Sequence, residues 1–464
     1  MEITFLGAAK NVTGSKHLIQ TENYNLLLDC GFFQGKRKEA NEQNKNLPFN
    51  EKSINAVILS HAHLDHCGSL PILVKNGFSG KIYCTKATAQ IAKFILLDSA
   101  NIQKTDAEYL NKHIKNESDF VSPIYTEEDV NKTLEYFEPI EYLEWISLNK
   151  DIRFKFYDAG HILGSAITIL EIKENDATKN LAFTGDLGRK SAPILEDPQV
   201  VVEKVEFLIS ECTYGDRLHQ PIAEAQKDLA DVILKTADDK GKILIPAFSL
   251  GRAQEMVYLL HKLSDEKKIP ELPIYIDSPL TTNITEIFKN NTEYFDDDFR
   301  RNFSDDGQSP FESKNIIYTK TVEESKALNK KPGPFIIIAG SGMAEGGRIL
   351  HHLKNNIGDE RNTILIVGYQ AENTLGRRLQ DGVSPAKIYG QYYEVKAKVK
   401  TLGEFSAHAD QKELLDYMAS LKGLEEIFLV HTEEKQIESF VPLLKNLLPN
   451  ISIEVPQQGQ SFEI

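Results

Sequence analysis

The sequence predicts a mixed α/β fold in which one α/β region is inserted into another. Short apolar runs typical of strands, such as "EITFLG" and "AVILS", fill the first part of the chain. From about residue 221, single strands and helices alternate, as in "KILIPAF" followed by "GRAQEMVYLLHKL", and this alternation is typical of a parallel sheet. Mixed structure returns near the end. We therefore expect a first domain over 1–212 and 391–464, interrupted by an α/β domain over 213–390.

The local patterns predict the elements in order. The first strands are expected in "EITFLG", "NLLLDCG", "AVILS" and "KIYCT". A polar region from about 87 to 136 is predicted to be helical, because apolar residues in "KATAQIAKFILLDSANIQ" recur at helical spacing. Strands resume in "IRFKFYDAGH", "AITILEI", "NLAFTGDLG" and "VEFLISECTYG". After the alternating region, "KIYGQYYEVKAKVKTL" is typical of a hairpin, and a helix–strand–helix–strand pattern closes the chain.

Composition and charge narrow the class of protein. The chain has 464 residues, 41% of them hydrophobic and 26% charged, which is ordinary for a globular protein of two domains. No window holds the roughly 20 apolar residues of a membrane span, and "MEITFLGAAKNVTGS" is not typical of a signal peptide. The four cysteines form no CxxC pair, so we expect reduced thiols in the cytoplasm. The net charge of −15 argues against non-specific coating of nucleic acid.

A dense group of metal-binding side chains follows the apolar run "AVIL". The stretch "SHAHLDHCGS" supplies His61, His63, Asp65 and His66. In an extended chain, residues i and i+2 point to the same side, so His61 and His63 can share a metal ion. Asp65 and His66 come in what we expect to be a turning loop, from which they can face the same cavity. Zinc takes imidazole and carboxylate ligands, and this spacing differs from the helical HExxH arrangement.

Two more residues of the same chemistry come directly after predicted strands. His161 lies in "DAGHILGS" and Asp186 in "FTGDLG". A single histidine at such a place is more often a hydrogen-bonded structural residue than a ligand, and alone neither residue would point to a metal. Three histidines and an aspartate within six positions are a different case, and loops at strand ends are where active sites are built. A metal centre that includes His161 and Asp186 is therefore our hypothesis.

In chain order, Asp29 in "LLLDCG", the "HAHLDH" motif, His161 and Asp186 resemble the metallo-β-lactamase superfamily. The resemblance implies an αββα sandwich of two mixed sheets with a dinuclear metal site along one edge. By residue match it implies ligands for two zinc ions: His61, His63 and His161 for the first, Asp65 and His66 for the second, and Asp186 as the bridge. Asp29 matches an aspartate that orients a ligating imidazole; without the resemblance it reads as a turn residue.

Three later motifs resemble the β-CASP nucleases, a branch of this superfamily that includes the endonuclease subunit of the pre-mRNA 3′-end cleavage machinery. They are "ISECTYGD" with Glu211, "FSAHADQ" with His408 and "FLVHTEE" with His431. The blocks "PAFSLGRAQEM", "IAGSGMAEGGRILHHL" and "GYQAENTLGRRL" also match. That branch inserts an α/β β-CASP cap domain over the zinc edge. Its RNA-acting members carry histidine in the last motif, so His431 implies an RNA substrate and a completed second zinc site, while Thr432 departs from the usual glycine.

The resemblance also implies roles beside the metal ions. His408 would protonate the leaving 3′ oxygen after hydroxide attacks phosphorus, and Glu211 would orient His408. The implied catalytic set is Asp29, Asp186, Glu211 and His408. The glycine-rich loop "AGSGMAEGGR" (339–348) and nearby arginines would bind single-stranded RNA, although such loops also simply allow tight turns and such arginines are often surface residues. This RNA-binding set is Ser249, Arg252, Gly340, Ser341, Gly342, Arg348, Arg377, Arg378 and Ser406.

Two other functions are compatible with parts of this pattern. A hydrolase of a small ester or thioester, similar to glyoxalase II, would use the same metal centre, although the inserted domain argues against it. A non-catalytic scaffold of RNA processing would need lost ligands, and all seven candidate ligands are present. Internal cleavage and cleavage from the 5′ end both remain open, as does the RNA target. A homodimer is compatible with the sequence, and we expect no membrane partner.

Overall fold

The chain divides into two units, and the second is inserted into the first. The computed structural model describes residues 1–35, 37–112, 114, 116, 120–174, 177–303 and 309–464. The first unit comprises Met1–Lys190, Asp197–Leu218 and His408–Ile464. The second comprises Ser191–Glu196 and His219–Ala407. The sequence places the end of the insertion near 390; in the structure the second unit continues to Ala407, because a strand at Lys398–Thr401 pairs with its sheet.

The part of the chain before the insertion contains strands β1–β11 and helices α1–α5. The strands are β1 (Glu2–Phe5), β2 (His17–Gln20), β3 (Asn25–Leu28), β4 (Ala56–Ile58), β5 (Lys81–Thr85), β6 (Phe137–Ile140), β7 (Ile146–Ser147), β8 (Ile152–Asp158), β9 (Ala166–Glu174), β10 (Ala177–Phe183) and β11 (Phe207–Glu211). The helices are α1 (Arg37–Lys45), α2 (Leu64–Cys67), α3 (Leu70–Lys75), α4 (Lys86–Asn111) and α5 (Glu127–Leu134), with a short 3₁₀ helix at Glu51–Ser53.

The inserted part alternates helices and strands. Its helices are α6 (Ile222–Asp238), α7 (Arg252–Asp265), α8 (Pro279–Lys289), α9 (Asp297–Phe303), α10 (Val322–Lys330), α11 (Gly347–Asn356) and α12 (Leu375–Gln380), with 3₁₀ helices at Thr292–Tyr294 and Gly403–Phe405. Its strands are β12 (Lys242–Pro246), β13 (Ile274–Ile276), β14 (Ile316–Tyr318), β15 (Phe335–Ala339), β16 (Thr363–Ile366), β17 (Ala386–Ile388), β18 (Gln391–Tyr393) and β19 (Lys398–Thr401). The final part contains α13 (Gln411–Ser420), β20 (Glu426–Val430), α14 (Glu434–Leu447), β21 (Ser452–Glu454) and β22 (Gln460–Glu463).

The described residues of the first unit form two seven-stranded sheets that pack face to face. The strand orders are β22-β1-β2-β3-β4-β5-β6 and β21-β20-β11-β10-β9-β8-β7. Apolar side chains from both sheets, among them Phe5, Leu28, Phe156 and Phe183, form the core between them. Helices α3, α4 and α5 cover the outer face of the first sheet, and α13 and α14 cover that of the second. The predicted αββα sandwich is confirmed.

Strand β4 shows why the run "AVIL" lacks polar alternation. Val57 packs with the helices on one side of its sheet, whereas Ala56 and Ile58 pack in the core between the sheets. A strand that is covered on both faces reads as a continuous apolar run. The metal-binding stretch therefore begins where a fully buried strand ends.

The insertion is built on a parallel sheet. Its described strands lie in the order β14-β13-β15-β12-β16-β19, and every neighbouring pair is parallel, as the alternation of strands and helices predicts. Helices α10, α11 and α12 pack on the sheet through residues such as Leu328, Leu353 and Leu379, and α6 contacts β12. Because the strands are parallel, their carboxyl ends meet at one edge, where open α/β sheets bind ligands.

Two expected elements differ in the structure. The region from 87 to 136 contains α4 and α5; the described residues 114, 116 and 120–126 between them are not helical, and 113, 115 and 117–119 lie outside the described residues. The expected hairpin is confined to β17 and β18, while β19 joins β16 in the parallel sheet. Among the helices that the structure describes, none is long and apolar enough to cross a membrane.

Candidate metal centre

Loops at the ends of strands from both sheets of the first unit bring the candidate ligands together. Ligand atoms of one group all lie within 4.8 Å of one another: His61, His63, His161 and Asp186. The same holds for a second group: Asp65, His66 and His431. Asp186 also belongs to a third group, with Glu211 and His431. All seven residues that the sequence suggests as ligands are thus close together in the structure.

Helix α2 sets the geometry of the "HAHLDH" motif. The chain is extended at His63, with φ −65° and ψ 148°, and becomes helical at Leu64. Asp65 and His66 therefore lie in a helical turn, where the sequence predicts a turning loop. Gly31 packs against this turn, since a Cβ at that position would lie 1.5 Å from the Asp65 carbonyl oxygen. Only glycine allows this approach of the two backbones.

Three imidazoles and one carboxylate converge in the first group. His61 Nε2 lies 3.0 Å from His63 Nδ1, and His161 Nε2 lies 3.3 Å from that same atom. Asp186 Oδ2 is 3.4 Å from His61 Nε2 and 3.6 Å from His161 Nε2. Burial lowers the pKa of all three histidines, to about 3 for His63. Because a metal ion binds the neutral imidazole, this group suits a metal in both position and protonation.

The second group contains buried polar atoms that only a further ligand would satisfy. Among the described residues, His66 Nε2 and Asp186 Oδ1 have no hydrogen-bond partner, and they lie 3.4 Å apart. His431 Nε2 is 3.4 Å from Asp65 Oδ2. Burial disfavours a charged His66, but the carboxylates of Asp186 and Asp29 raise its pKa well above the usual value. Unsatisfied buried groups are rare in proteins, and this position favours a positive charge, so a metal cation fits both features.

Asp29 holds His66 from the side opposite Asp186. Its carboxylate accepts hydrogen bonds from the Ser60 N–H at 2.8 Å, the Ser60 hydroxyl at 2.9 Å and the Ser15 hydroxyl at 3.1 Å. It also accepts from His66 Nδ1 at 2.6 Å, which leaves Nε2 of that ring facing Asp186. This is the arrangement by which a carboxylate fixes the tautomer of a ligating histidine. Sequence reasoning missed Ser15 and Ser60, whose only signal is their place beside the motifs.

The buried carboxylate of Glu211 pairs with His408, whose side chain is 19% exposed, beside the ligands. His408 Nδ1 donates to the two Glu211 carboxylate oxygens at 3.0 and 3.1 Å, and His408 Nε2 lies 4.0 Å from Asp186 Oδ2. Glu211 also accepts from the Leu187 N–H at 2.5 Å. Burial acts to lower the pKa of His408, but Glu211 and Asp186 outweigh it and raise that pKa to about 9. Nδ1 of His408 is therefore hydrogen-bonded to Glu211, and Nε2 can carry a proton on the side of the ring that faces Asp186.

Two threonines fix the loop that carries His431. The Thr213 hydroxyl lies 3.0 Å from His431 Nδ1 and donates to the His431 carbonyl at 3.1 Å. Thr432, where the family usually has glycine, is fully buried and donates to the Cys212 carbonyl at 2.9 Å. The departure at Thr432 therefore adds a bond between the ends of β20 and β11. Sequence reasoning missed Thr213, whose only signal is its position two residues after Glu211.

Family models match most of the chain. The model of the metallo-beta-lactamase superfamily matches residues 13–247, and the Beta-Casp domain model matches 253–379. The chain is a β-CASP member of the metallo-β-lactamase superfamily. A third model, described as a Zn-dependent metallo-hydrolase RNA specificity domain, matches residues 392–456.

Relatives align with this β-CASP protein over nearly its whole length. A ribonuclease of Thermus thermophilus is 37% identical over 444 residues, which are 96% of each chain. The transcription termination factor FttA of Methanocaldococcus jannaschii is 33% identical over 455 residues, which are 96% of this chain and 69% of the factor. A crystal structure of a protein of unknown function from Enterococcus faecalis V583 matches 99% of both chains with a TM-score of 0.53 at 14% identity. That last likeness concerns the fold alone.

In the β-CASP insertion, several of the suggested RNA-binding residues lie in loops at the carboxyl ends of β12 and β15. Ser249 Oγ is 3.3 Å from Ser278 Oγ, and a Cβ on Gly340 would lie 3.2 Å from Ser249 Oγ. The Ser341 hydroxyl accepts from the Glu345 N–H at 3.0 Å. A hydrogen bond to Ser341 thus stabilises the glycine-rich loop, which lies at the carboxyl edge of the sheet.

The four suggested arginines all have partners within the insertion. They pair as Arg252 with Glu255, Arg348 with Asp277, Arg377 with Asp381, and Arg378 with the Asn373 carbonyl. Arg252 is only 8% exposed, which favours a structural role over RNA binding. The side chains of Arg377 and Arg378 are 40% and 39% exposed and keep surface for a phosphate. Ser406, also suggested for RNA, is buried.

Proposed function

We propose that the chain is a cytoplasmic, zinc-dependent ribonuclease that hydrolyses phosphodiester bonds of single-stranded RNA. One observation carries the proposal: two groups of ligand side chains meet at Asp186, and His408 lies beside that shared residue. The relative from Thermus thermophilus is named a ribonuclease, and one matching family model is named for RNA specificity. Metal ions next to a proton donor suit an anionic phosphodiester, whose hydrolysis needs both charge stabilisation and leaving-group protonation.

Two zinc ions would be held by the residues of the two groups. The proposed ligands are His61, His63 and His161 for one ion, Asp65, His66 and His431 for the other, and Asp186 for both. Bound zinc supplies Lewis-acid chemistry, which stabilises negative oxygen and lowers the pKa of water to about 7. Asp29 keeps His66 in the orientation that presents Nε2, because it accepts from Nδ1 of that ring.

In the proposed reaction, a water molecule loses one proton to solvent and its oxygen, as hydroxide, bonds to phosphorus while the bond between phosphorus and the 3′ oxygen breaks. His408 gives the proton from Nε2 to the departing 3′ oxygen, since its Nδ1 is held by Glu211. Glu211 keeps the imidazole in place and stabilises its protonated form. The products are a 3′ hydroxyl and a 5′ phosphate.

A cleavage assay on end-labelled single-stranded RNA tests the proposal. Protein purified without chelator should contain two equivalents of zinc per chain, lose activity in a chelator and regain it with zinc. A 5′-labelled RNA should yield a series of internal fragments, and release of single labelled nucleotides would reveal additional cleavage from the 5′ end. Sedimentation of the same preparation shows whether the protein is a monomer or a homodimer.

The control is a variant that cannot hold the first metal. His61→Ala combined with His63→Ala, purified in parallel, measures any contaminating ribonuclease. Hydrolysis of a chromogenic lactam or a thioester without RNA cleavage would overturn the proposal in favour of a small-ester hydrolase. One equivalent of zinc with full RNA cleavage would overturn the dinuclear site alone.

A further inference from the structure

Two aromatic side chains are exposed at the carboxyl edge of the sheet in the β-CASP insertion. Phe248 comes two residues after β12, and Tyr369 comes three residues after β16, the neighbouring strand. Phe248 is 40% exposed and Tyr369 is 42% exposed. By contrast, Tyr275 and Phe335 of this unit are buried in its core, and the exposed Tyr389 and Tyr392 lie on the β17–β18 hairpin. The two exposed rings thus lie where parallel sheets bind ligands.

Glycine backbone supports the ring of Phe248 without covering it. A Cβ on Gly342, in the loop after β15, would lie 2.7 Å from Phe248 Cδ2 and 2.8 Å from Cε2. A Cβ on Gly368, directly before Tyr369, would lie 4.0 Å from Phe248 Cε2. Loops from three adjacent strands therefore meet at this ring, and two of them contribute glycine. Any side chain at 342 would displace the ring, so the glycine preserves its position.

Cationic side chains lie on the helix that docks on the same glycine-rich loop. Helix α12 is tied to this loop by a hydrogen bond from the Gly376 N–H to the Met343 carbonyl at 3.0 Å. Arg377 and Arg378 follow on α12 and are part-exposed. An exposed aromatic ring and part-exposed guanidinium groups, on segments that contact the same loop, match the chemistry of a nucleotide, which has an apolar face and an anionic phosphate.

We propose that Phe248 and Tyr369 form a stacking site for an unpaired base of the RNA substrate, a site that rests on the proposed ribonuclease function. Every base has a π face, so stacking on an aromatic side chain grips a single strand with little dependence on sequence. Paired bases in a duplex are stacked on their neighbours and cannot offer this face. The site therefore selects single-stranded RNA over duplex RNA. Contacts to the phosphate backbone alone do not detect whether a base is unpaired.

An abasic scan locates the stacked base. A single-stranded RNA of one sequence is prepared as a series in which one abasic nucleotide occupies each position in turn, and kcat/KM is measured for every member. Wild-type protein should lose about 5- to 150-fold at one or two positions, the range for loss of one stacked base. Phe248→Ala should show the same loss on intact RNA and no further loss when the abasic nucleotide occupies that position.

Matched variants separate stacking from other effects. Phe248→Leu keeps an apolar side chain without a ring and should resemble Phe248→Ala, whereas Phe248→Trp should retain the wild-type profile. Tyr392→Ala, which removes an aromatic residue 69% exposed on the β17–β18 hairpin, should behave as wild type. Zinc content and thermal unfolding of each variant show that the fold is intact.

The outcomes distinguish this site from the proposed function. If wild-type protein does not cleave RNA, the proposed function fails, and the same abasic series is then scored by the anisotropy of labelled RNA in the presence of chelator. In either readout, a Phe248→Ala profile that keeps the wild-type dependence on the abasic position overturns the stacking site. Wild-type behaviour of Phe248→Leu overturns it as well.

Discussion

Two buried aspartates, Asp186 in the first unit and Asp277 in the insertion, have opposite surroundings. Both are almost inaccessible to solvent, and both have histidine neighbours. Histidine nitrogens from five described residues lie 3.4–4.0 Å from Asp186. Yet Asp186 Oδ1 has no hydrogen-bond partner among the residues that the structure describes.

Asp277 is satisfied completely by its own chain. It accepts from Ser325 at 2.5 Å, from His352 Nε2 at 2.6 Å and from Arg348 at 2.6 Å, and also from the hydroxyl of Thr319. Burial acts to raise the pKa of this carboxyl, but these donors outweigh burial and hold the pKa well below the usual range.

The difference between Asp277 and Asp186 shows how to tell a structural carboxylate from one that is arranged to bind a metal ion. At short distance, donors make hydrogen bonds and leave nothing for a further partner, as around Asp277. At Asp186 the nitrogens stand back beyond good hydrogen-bond length, which is 2.7–3.2 Å for N–H···O. Several acceptor atoms that converge on one point are arranged for a cation, because a metal ion can bond to all of them at once.

The largest effect is expected from Asp186→Asn. Cleavage should fall by roughly 10⁴-fold, because the metal ions contribute several kcal/mol and 1.36 kcal/mol is tenfold in rate. Zinc content, measured by mass spectrometry of the purified protein, should fall with it. The companion variant Asp277→Asn should keep its zinc. Equal zinc contents in both variants would erase the contrast between the two aspartates.

His408→Ala tests whether the residue beside the candidate metal centre acts as the general acid of the reaction. It should keep both zinc ions and RNA affinity but lose roughly 10²–10⁴-fold in cleavage, as for removal of a general acid. Glu211→Gln should lose less, because it leaves the imidazole in place. The measurement is single-turnover cleavage of RNA beside zinc content.

The matched variant is His431→Ala, which should lower occupancy of the second zinc site together with activity. An RNA with a good leaving group at the scissile 3′ oxygen needs little protonation, so it should rescue His408→Ala and hardly affect His431→Ala. Equal rescue would mean that the roles of the two histidines are assigned wrongly.

Asp277→Asn tests the structural side of the comparison. It should lower the free energy of unfolding by about 3 kcal/mol, at the low end for a broken buried ion pair, because Arg348 is partly exposed. Since the folded pKa of Asp277 is depressed, its contribution is present at neutral pH and declines as pH falls below about 4, where an unfolded aspartate is protonated. Denaturant unfolding at several pH values measures this. A difference from wild type that grew toward acid pH would contradict the assignment.

Asp29→Asn gives the smallest change and sharpens the comparison, because Asp29 combines features of both residues. Like Asp277 it is buried and fully hydrogen-bonded, but one of its donors is the candidate ligand His66. We expect zinc affinity or activity to fall roughly 10–100-fold, the usual effect of losing a carboxylate behind a ligating histidine. Titration with a zinc indicator checks this. Ser15→Ala, which removes one other donor to Asp29, should have a weaker effect on affinity.

The candidate centre was largely readable from the sequence. His61, His63, Asp65 and His66 lie within one short stretch, and residues that follow strands meet at a sheet edge. The fold that brings His161 and His431 to the same place came from resemblance to a family, since nothing local to either residue indicates it. The sequence could not reveal partners that lie far apart along the chain. Arg348 was expected to bind RNA, but in the structure it pairs with Asp277, which directly follows β13 and lies 71 residues before Arg348 in the first turn of α11.

Long-range pairing also limited the prediction of the fold. The alternating pattern predicted the parallel sheet of the insertion, because each helix–strand step is local. The pattern in "KIYGQYYEVKAKVKTL" could not show that only β17 and β18 pair with each other, whereas β19 pairs with a strand more than 30 residues earlier. Similarly, β22 pairs with β1 at the edge of the first sheet, and no local pattern in either strand predicts that they are neighbours.

The position of the insertion has a consequence for protein synthesis. Glu211 precedes the inserted unit, and its partner His408 and the candidate ligand His431 follow it. While a ribosome is still making the insertion, the nascent chain has neither histidine, and β11 has not met β20, its neighbour in the finished sheet. We therefore expect no cleavage by chains that are still being translated short of His431. A nascent nuclease arranged in this way cannot cut the message from which it is being made until its chain has been extended past His431.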